Sequence, residues 1–407
     1  MMFRLAIKSL LSRRFSAAVC VAMIALSTLA LLTVDTVYRG TQSAFSRGVQ
    51  GIDLMVGAPT GDINLLLFSA FHVGAPSREL SFSTFKHWQN NPAVKRAVPL
   101  MLGDSHKGFR VIGTNQQLFD HLRATNGNNI FAQGAPFTHV FEVTLGREVA
   151  RKLGYRLGDQ LILSHGMGSH SFQQHDARTF TVTGILAATG TPIDKTLQVS
   201  LDGIEAIHWP EQKIANLPTQ LPIGENPQLT PKSLAAFYLT LENKVRTFQL
   251  QRAINQYPKE PTQAVLPGVA VTQLWGMLDW IEIALLTLGG LASLIATIGV
   301  SGTLLTHLEQ RMKEFQLLRT LGARQRFIFT LLGIETTSLV ALGALIGCVG
   351  TIVLERVLLT VAQNRWGLYW ALDIDWLFIS TGIATLAVIA GIIFSGLSAL
   401  RLRKLSL

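Results

Sequence analysis

Charge is scarce in this chain. Only 15% of its 407 residues are Asp, Glu, Lys or Arg, against roughly 25% in soluble domains. Cysteine is scarcer still, with Cys20 and Cys348 the only two, both inside long apolar runs. The stretch of about 240 residues between the first two runs has none, so its fold must rest on its own core without a disulfide. Catalytic signatures are missing too. A phosphate-cradling loop needs G-x-x-x-x-G-K-[ST], and the nearest approach, GTPIDKT at Gly190–Thr196, lacks the second glycine. Its DKT also lacks the continuation of an aspartyl-phosphate motif. There is no nucleophile elbow, HExxH helix or CxxC pair. Nothing in the chain supports nucleotide hydrolysis or another enzyme chemistry.

What is present is hydrophobicity, 48% of residues, gathered into four blocks: Phe15–Val34, Ile283–Leu305, Phe327–Leu354 and Trp376–Leu397. Each reaches the roughly 20 residues that cross about 30 Å of hydrocarbon. Three have no charged residue, and the third has only Glu335. The first is longer than the core of a signal peptide and has no convincing cleavage site before Asp35, so it reads as an uncleaved anchor.

The net charge of +10 could suggest nucleic acid, but its placement argues otherwise. Arg4, Lys8, Arg13 and Arg14 precede the first block, and Arg401, Arg403 and Lys404 follow the last. Arg311, Lys313, Arg319, Arg324 and Arg326 crowd the segment between the second and third. The positive-inside rule puts all three groups in the cytoplasm. The expected fold is an α-helical membrane protein with four transmembrane helices and a large α+β extracytoplasmic domain between helices 1 and 2. Residues 1–14 form a cytoplasmic N-terminus, 15–39 the first helix and a stalk, and 40–270 the outer domain. Residues 271–305 form a second stalk and helix, 306–326 a cytoplasmic helix, and 327–354 the third span. A short outer loop at 355–375, a fourth span at 376–400 and a cytoplasmic tail at 401–407 complete the order. Both termini then lie inside.

Within the outer region, TLGREVARKLGYRLGDQLIL predicts a short helix over Arg147–Leu153, a glycine turn at Gly154 and Gly158, then a strand. RTFTVTGILA alternates apolar residues at Phe180, Val182 and Ile185, as a half-buried strand does. SLDGIEAIHW opens another short helix. SFSTFKHWQNNPAVKRAVPL and GFRVIGT before this layer, and LAAFYLTLENKVRTFQLQRAINQ after it, read as helix–strand and strand–helix pieces of a second lobe. GENPQLTPKS is a polar connection. Nine of the ten histidines lie outside. His165, His170, His175 and Asp176 fall close together, with His208 on a later helix-like segment. Imidazole and carboxylate suit zinc, but the spacing fits no zinc-finger pattern, and a polar surface loop is the plainer reading.

The segment HLEQRMKEFQLLRTLGARQRF, between spans two and three, carries seven charged residues. Leu308, Met312, Phe315, Leu318 and Leu321 recur at helical spacing and make one apolar face. Glu309 and Lys313 form an i,i+4 pair on the other. Gly322 stands where a C-terminal cap belongs. This predicts a short amphipathic helix at the membrane surface, either a loop-ordering element or a docking element for a cytosolic partner. In the third span, Glu335 is an intramembrane carboxylate that should face and pair with another helix. Gly343 and Gly347 form a GxxxG that permits close helix approach, as in a packed dimer.

The run RMKEFQLLRTLGA resembles the coupling motif of the MacB/FtsX-like permeases of ABC transporters (the type VII group). There an Arg-x-x-Glu and an apolar run precede Leu-Arg-x-Leu-Gly-Ala. Arg311, Glu314, Phe315, Leu317, Leu318, Arg319, Leu321, Gly322 and Ala323 match it. LGREVARKLGYRLGDQ and TFTVTGIL resemble the family's outer domain, and the order of one span, a large domain and three spans is also similar. IDLMVGAPTGDINLLLFSAFHVGAPS, SHGMGSHSFQQHD and TGTPIDKTLQVSLDGIEAIH are similar to a narrower bacterial branch, some of whose members accompany metal-starvation operons. GLSALRLRKLSL lacks the proline the family often has near its last helix.

The resemblance implies a permease subunit of the bacterial inner membrane that binds no cofactor itself. ATP and Mg would be held by a cytosolic ABC ATPase dimer docked on Glu309, Arg311, Glu314, Phe315, Leu318, Arg319, Gly322 and Ala323. A second permease chain, a periplasmic adaptor or lipoprotein, and membrane lipids are the other expected partners; nucleic acid is not. Mechanical transmission to the periplasmic domain, for export or extraction of an envelope substrate, is the implied activity. An FtsX-like regulator of a periplasmic hydrolase and a zinc-related envelope complex are the alternatives.

Overall fold

The computed structural model describes residues 10–127, 129–165, 178–310, 314, 316–317 and 320–366. The chain divides into two compact units, one holding residues up to Thr41 with Leu278–Val361, the other Gln42–Met277.

Helix α1 (Arg14–Gly48) contains the first apolar block and continues past it. Its later turns are polar, and an Arg39–Asp35 ion pair of 2.8 Å supports them at i,i+4. The outer unit then opens with β1 (Leu54–Gly57), α2 (Asp62–Ala70), β2 (Leu80–Ser81) and α3 (Phe82–Gln89). The long β3 (Val94–His106) and β4 (Phe109–Thr114) follow, then α4 (Gln117–Asn126), β5 (Phe131–Gly134), β6 (Glu142–Leu145) and α5 (Arg147–Leu153). Next come β7 (Gln160–Leu161), β8 (Ser164–His165), β9 (Phe180–Leu186), β10 (Thr196–Ser200), α6 (Leu201–Ile207) and α7 (Glu211–Ala215). The unit closes with β11 (Ser233–Leu234), β12 (Ala236–Leu241), α8 (Thr247–Asn255) and β13 (Gln263–Val265).

The main sheet runs in the order β13-β1-β12-β3-β4-β10-β6-β9-β5, with β8 added on β3 and β7 on β9. Strand β3 serves both halves. Its first part pairs antiparallel with β12 and its second with β4, where the register slips between Leu102 and Ser105. Each half therefore has its own core. One gathers Leu54, Leu80, Phe85, Trp88, Phe237 and Ile254; the other gathers Val111, Val143, Phe180, Leu197, Val199 and Ile204. This is the expected α+β layer and second lobe. Two pairings, β4–β10 and β6–β9, are parallel and join segments far apart in sequence.

The local elements form for the reasons the sequence offers. Helix α5 starts after Gly146 and stops at Gly154, which takes a left-handed φ of 74° that a side chain would resist. In α6 the Ser200 hydroxyl accepts the Gly203 amide at 3.0 Å, an N-cap worth about 1 kcal/mol. In β9, Phe180 and Val182 point inward while Thr181 and Thr183 are half-buried.

Two long helices complete the described chain, α9 (Pro267–Gln310) and α10 (Gln325–Trp366). Proline at the head of α9 fits a position whose amide would be unpaired anyway. Among the described residues three helices are long and apolar enough to cross a membrane: Arg14–Gly48, Pro267–Thr303 and Arg326–Val361. The expected fourth span, 376–400, and the tail lie outside the described residues. Helix α10 runs beyond the expected start of the outer loop at 355, because ERVLLTVAQNRW contains no glycine or proline to stop it. Glu355 is consequently a buried helical residue.

The helices of the first unit are joined by small polar contacts. Ser27 and Ser293 share a buried hydrogen bond of 2.7 Å, and Cys20 Sγ lies 3.1 Å from Thr303 Oγ1. Both cysteines are free.

Candidate functional site

The segment between α9 and α10 is where the sequence concentrates its docking candidates. Glu309 lies in the last turn of α9. The backbone at Glu314, Gln316, Leu317 and Thr320 is helical, and the Leu321 amide closes the last turn on the Leu317 carbonyl at 3.1 Å. Gly322 then adopts φ 94°, the stop its position predicts. Arg311, Phe315, Leu318 and Arg319 lie outside the described residues. Ala323 is half-buried, and Glu314, Gly322 and Arg324 are exposed. Leu317 and Leu321, four residues apart on one stripe, are 63% and 76% exposed. The described residues of this segment thus present large apolar side chains and a carboxylate, followed by a glycine stop and two arginines, Arg324 and Arg326.

Glu335 is buried in α10. The GxxxG has an intrachain use. A Cβ on Gly343 would come within 2.7 Å of Ile24 and 3.0 Å of the Val21 carbonyl, and one on Gly347 within 2.8 Å of the Ala25 carbonyl. The two glycines let α10 approach the chain's own α1. The face read as fit for a dimer is therefore occupied within the chain.

In the outer unit, His170, His175 and Asp176 lie outside the described residues, and His165 is placed only by its backbone in β8. Among the described residues no group of three His, Cys, Asp or Glu side chains could hold a metal ion. The structure does bring two candidate positions toward one residue that sequence reasoning missed. His208 caps α6, where its Nδ1 lies 2.7 Å from the Ile204 carbonyl and its Nε2 lies 3.9 Å from Asp104 Oδ1. Asp104 is buried on β3, and its register partner on β8 is His165. A carboxylate inside a strand, in LGDSH, was the available signal, but its neighbours His165 and His208 come from far along the sequence.

The failed phosphate loop GTPIDKT is a turn that uses its own anion. Asp194 accepts the amides of Thr189 at 2.9 Å and Gly190 at 2.9 Å, together with the Thr189 hydroxyl at 2.9 Å. Burial pushes this carboxyl up to about 6, against the pull of those donors. A Cβ on Gly146 would meet the Ile193 and Asp194 carbonyls within 2.5 Å, so the start of α5 packs directly on this turn.

Comparison with known proteins follows the same division. Residues 17–257 match the model of the MacB-like periplasmic core domain, and residues 286–407 match that of the FtsX-like permease C-terminal region. Among solved structures, the periplasmic region of MacB from Actinobacillus actinomycetemcomitans is 12% identical, covering 56% of this chain and 95% of that one, with a TM-score of 0.35. The extracellular domain of the noncanonic ABC-type transporter YknZ from Gram-positive bacteria is also 12% identical, covering 52% and 97%, with a TM-score of 0.31. No curated protein matches the chain. One family model spans more than half of the sequence and the other takes up most of the remainder, so the chain belongs to the MacB/FtsX-like permease family of ABC transporters.

Proposed function

We propose that this permease subunit carries the motion of a separate cytosolic ABC ATPase dimer through α1 and α9 to the outer domain, for export or extraction of an envelope substrate. The chain binds no cofactor of its own in this reading; ATP and Mg belong to the ATPase, and a second permease chain completes the assembly in the bacterial inner membrane. The observation that carries it is the exposed Leu317–Leu321 stripe beside Glu314, ending at Gly322, between two helices far longer than a bilayer requires. In this reading both termini lie in the cytoplasm and residues 40–270 outside, which the arginine and lysine placement supports. An alkaline phosphatase fusion at Gly224 should be active and one at the C-terminus inactive.

Reversing a desolvated interface charge costs about 2–5 kcal/mol. Glu314→Lys and Leu317→Asp should therefore insert normally but lose copurification with the ATPase and its stimulated turnover. Full coupling in both variants would reduce the segment to a loop-ordering helix. Activation of a periplasmic hydrolase by the outer domain is the regulatory variant of the same reading, and identification of copurifying envelope proteins separates the two.

One observation favours a second role. The Asp104 carboxylate lies 3.9 Å from His208 Nε2 and opposite His165 in the sheet register, the kind of donor set zinc takes. Zinc held there should bind the full chain more weakly as pH falls through roughly 6.5, because each imidazole must be neutral to ligate. Calorimetry should show binding to wild type and loss of it in Asp104→Asn and in the His165/His170/His175→Ala triple variant. Equal, weak heats in all three would leave a polar loop.

A further inference from the structure

The outer unit contains a cavity of about 410 Å³ that none of these readings uses. That volume lies in the range of small-molecule sites. It is built from four separated pieces of chain: the end of α1, the segment after α2, the β3–β4 turn, and the turn leading into β10. Three aromatic rings, Phe45, Phe71 and Phe109, form an apolar wall. Phe45 is held in place, its ring centroid 4.4 Å from that of Phe71 and 5.7 Å, edge-on, from that of Trp275.

The polar groups on this wall are unusual for an apolar hollow. Arg110 is half-buried, and its Nη1 donates to the Gly74 carbonyl at 2.8 Å, yet its Nε is shut from solvent without an acceptor. Among the described residues it makes no ion pair with a carboxylate. Burial alone pulls its guanidinium below the ordinary arginine range. Lys195, half-buried on the same wall, is pulled down by burial and by Lys152, with Glu148 and Asp194 opposing. Arg110 therefore carries the uncompensated charge.

His72 adds a second unsatisfied group. Its backbone sits at φ 55°, a left-handed conformation uncommon outside glycine. Its Nδ1 is enclosed and unbonded. Burial, with the nearby Arg110, pushes the imidazole down to about 3, so it is neutral at physiological pH. A desolvated guanidinium without a counter-charge is costly unless an anion completes it. Charge and unpaired polar atoms gathered in an apolar hollow are features of ligand sites.

We propose that this cavity binds a single-chain anionic amphiphile, with its head against Arg110 and Lys195 and its alkyl tail along Phe45, Phe71 and Phe109. The assignment names a substrate class for the outer domain. It rests on the transport reading only for its purpose, since the binding needs neither ATP nor an ATPase. The head can be a carboxylate or a phosphate ester, and the tail must be linear enough to enter between the rings. Each methylene that enters should tighten binding roughly fourfold until the cavity is full.

The test uses the full chain in nanodiscs of phosphatidylcholine and a twelve-carbon fatty acid bearing a terminal diazirine. After irradiation, mass spectrometry locates the adducts. Labelling should fall on the peptides carrying Phe45, Phe71 and Phe109, in addition to the background on the membrane helices. Dodecanoate, dodecyl phosphate or both should compete for the cavity adducts, and the stronger competitor identifies the head group. Dodecanol should not compete.

At a fixed, subsaturating probe concentration, Arg110→Gln should lower cavity labelling at least tenfold while Arg110→Lys retains a part of it. Ala44→Phe, which adds bulk at the end of α1, should abolish it. The membrane-helix adducts, unchanged in every variant, show that the chain is inserted. Adducts on the membrane helices alone, competition by dodecanol equal to that by dodecanoate, or undiminished labelling in Arg110→Gln would each overturn the proposal. Because no nucleotide or ATPase is present, this result and the coupling result from Glu314→Lys can fail independently.

Discussion

The two units spend similar side chains in opposite ways. In the outer unit Phe68, Phe85, Phe119, Phe137, Phe180 and Phe237 are fully buried, and the helices contribute one apolar face each to a sheet. In the helical unit the largest apolar residues face outward: Ile283, Leu288 and Ile295 of α9, and Leu345 and Val353 of α10, are each more than half exposed. In water such a surface would aggregate; in hydrocarbon it is the solvated face, and burial no longer drives association. Glycine shows the same division. In the outer unit Gly154 and Gly158 supply left-handed turns, whereas Gly343 and Gly347 sit in regular helix and supply the absence of a side chain. What holds the outer unit is removal of apolar surface from water. What holds the helices is close backbone approach and a few internal hydrogen bonds such as Ser27–Ser293.

That contrast fixes where truncation should hurt most. Phe237 is fully buried, edge-on to Phe85 at 5.4 Å. Phe237→Ala should cost about 3–5 kcal/mol of outer-unit stability. Leu288→Ala, removing an exposed side chain of similar apolar character, should cost under about 0.5 kcal/mol. Urea unfolding of the full chain in neutral detergent, followed by hydrogen exchange of peptides from each unit, measures both. Equal losses at the two sites would break the comparison.

Asp194 comes next. Its folded-state pKa, pushed up to about 6, lies above the ordinary 3.8, so the folded unit binds the extra proton between those values. Stability of the outer unit should therefore rise as pH falls from about 6 toward 4, by about 3 kcal/mol at most for a shift of this size. Asp194→Asn should flatten that slope. Asp194→Ala should cost about 2–4 kcal/mol at any pH, because it strands the buried donors of Thr189 and Gly190. A pH profile in Asp194→Asn that matches wild type would assign the slope elsewhere.

In the helical unit the sensitive residue is one with no side chain. Gly347→Ala places a carbon within 2.8 Å of the Ala25 carbonyl and 2.7 Å of Thr28 Cβ. Since backbone cannot yield as a side chain can, the cost should be about 1–3 kcal/mol, read as lowered thermal stability in detergent. Gly333→Ala, with open space around it, should stabilise slightly through helix propensity. Destabilisation by both would mean that the glycines matter through propensity rather than approach.

How much of this was legible in the sequence depended on range. Three apolar helices, the strand over Phe180–Leu186 and the short helices Arg147–Leu153 and Leu201–Ile207 were readable, because burial imposes a period on neighbouring residues. The stop at Gly322 was readable for the same local reason. The parallel pairing of β4 with β10 was not, since nothing in GFRVIGT marks a partner some 85 residues away. GxxxG was visible, but its occupant, the chain's own α1, was not. GTPIDKT resembles a phosphate loop only in part, and its aspartate serves the turn it stands in. No local pattern singles out Arg110, His72 or Lys195, and only the convergence of four segments makes them neighbours.

The smallest effect concerns a carboxylate that acts at long range inside the outer unit. Ser81 occupies the N-cap of α3, yet its side chain bonds no helix amide. Glu260 reaches it instead: Oε2 accepts the Ser81 hydroxyl at 2.7 Å and the Thr84 hydroxyl at 2.6 Å, and Oε1 accepts the Ser81 amide at 3.0 Å. These donors, with Arg78 nearby, hold its carboxyl below the ordinary glutamate value of 4.5, although burial opposes them. A carboxylate whose folded-state pKa is lowered adds stability above the unfolded value, and that stability is lost as pH falls through the folded one. Glu260 is half-buried and solvent still screens its charge, so the effect is that of an ordinary cap, about 1 kcal/mol. Glu260→Gln should lower the urea midpoint of the outer unit by that amount at pH 7. The difference from wild type should shrink as pH drops below about 4.5, where glutamate also becomes neutral. This slope runs opposite to that of Asp194, so the double variant Asp194→Asn, Glu260→Gln should show less pH dependence between 4 and 6 than Glu260→Gln alone. A Glu260→Gln deficit that persists unchanged at pH 3 would show that packing of the side chain, not its charge, secures the start of α3.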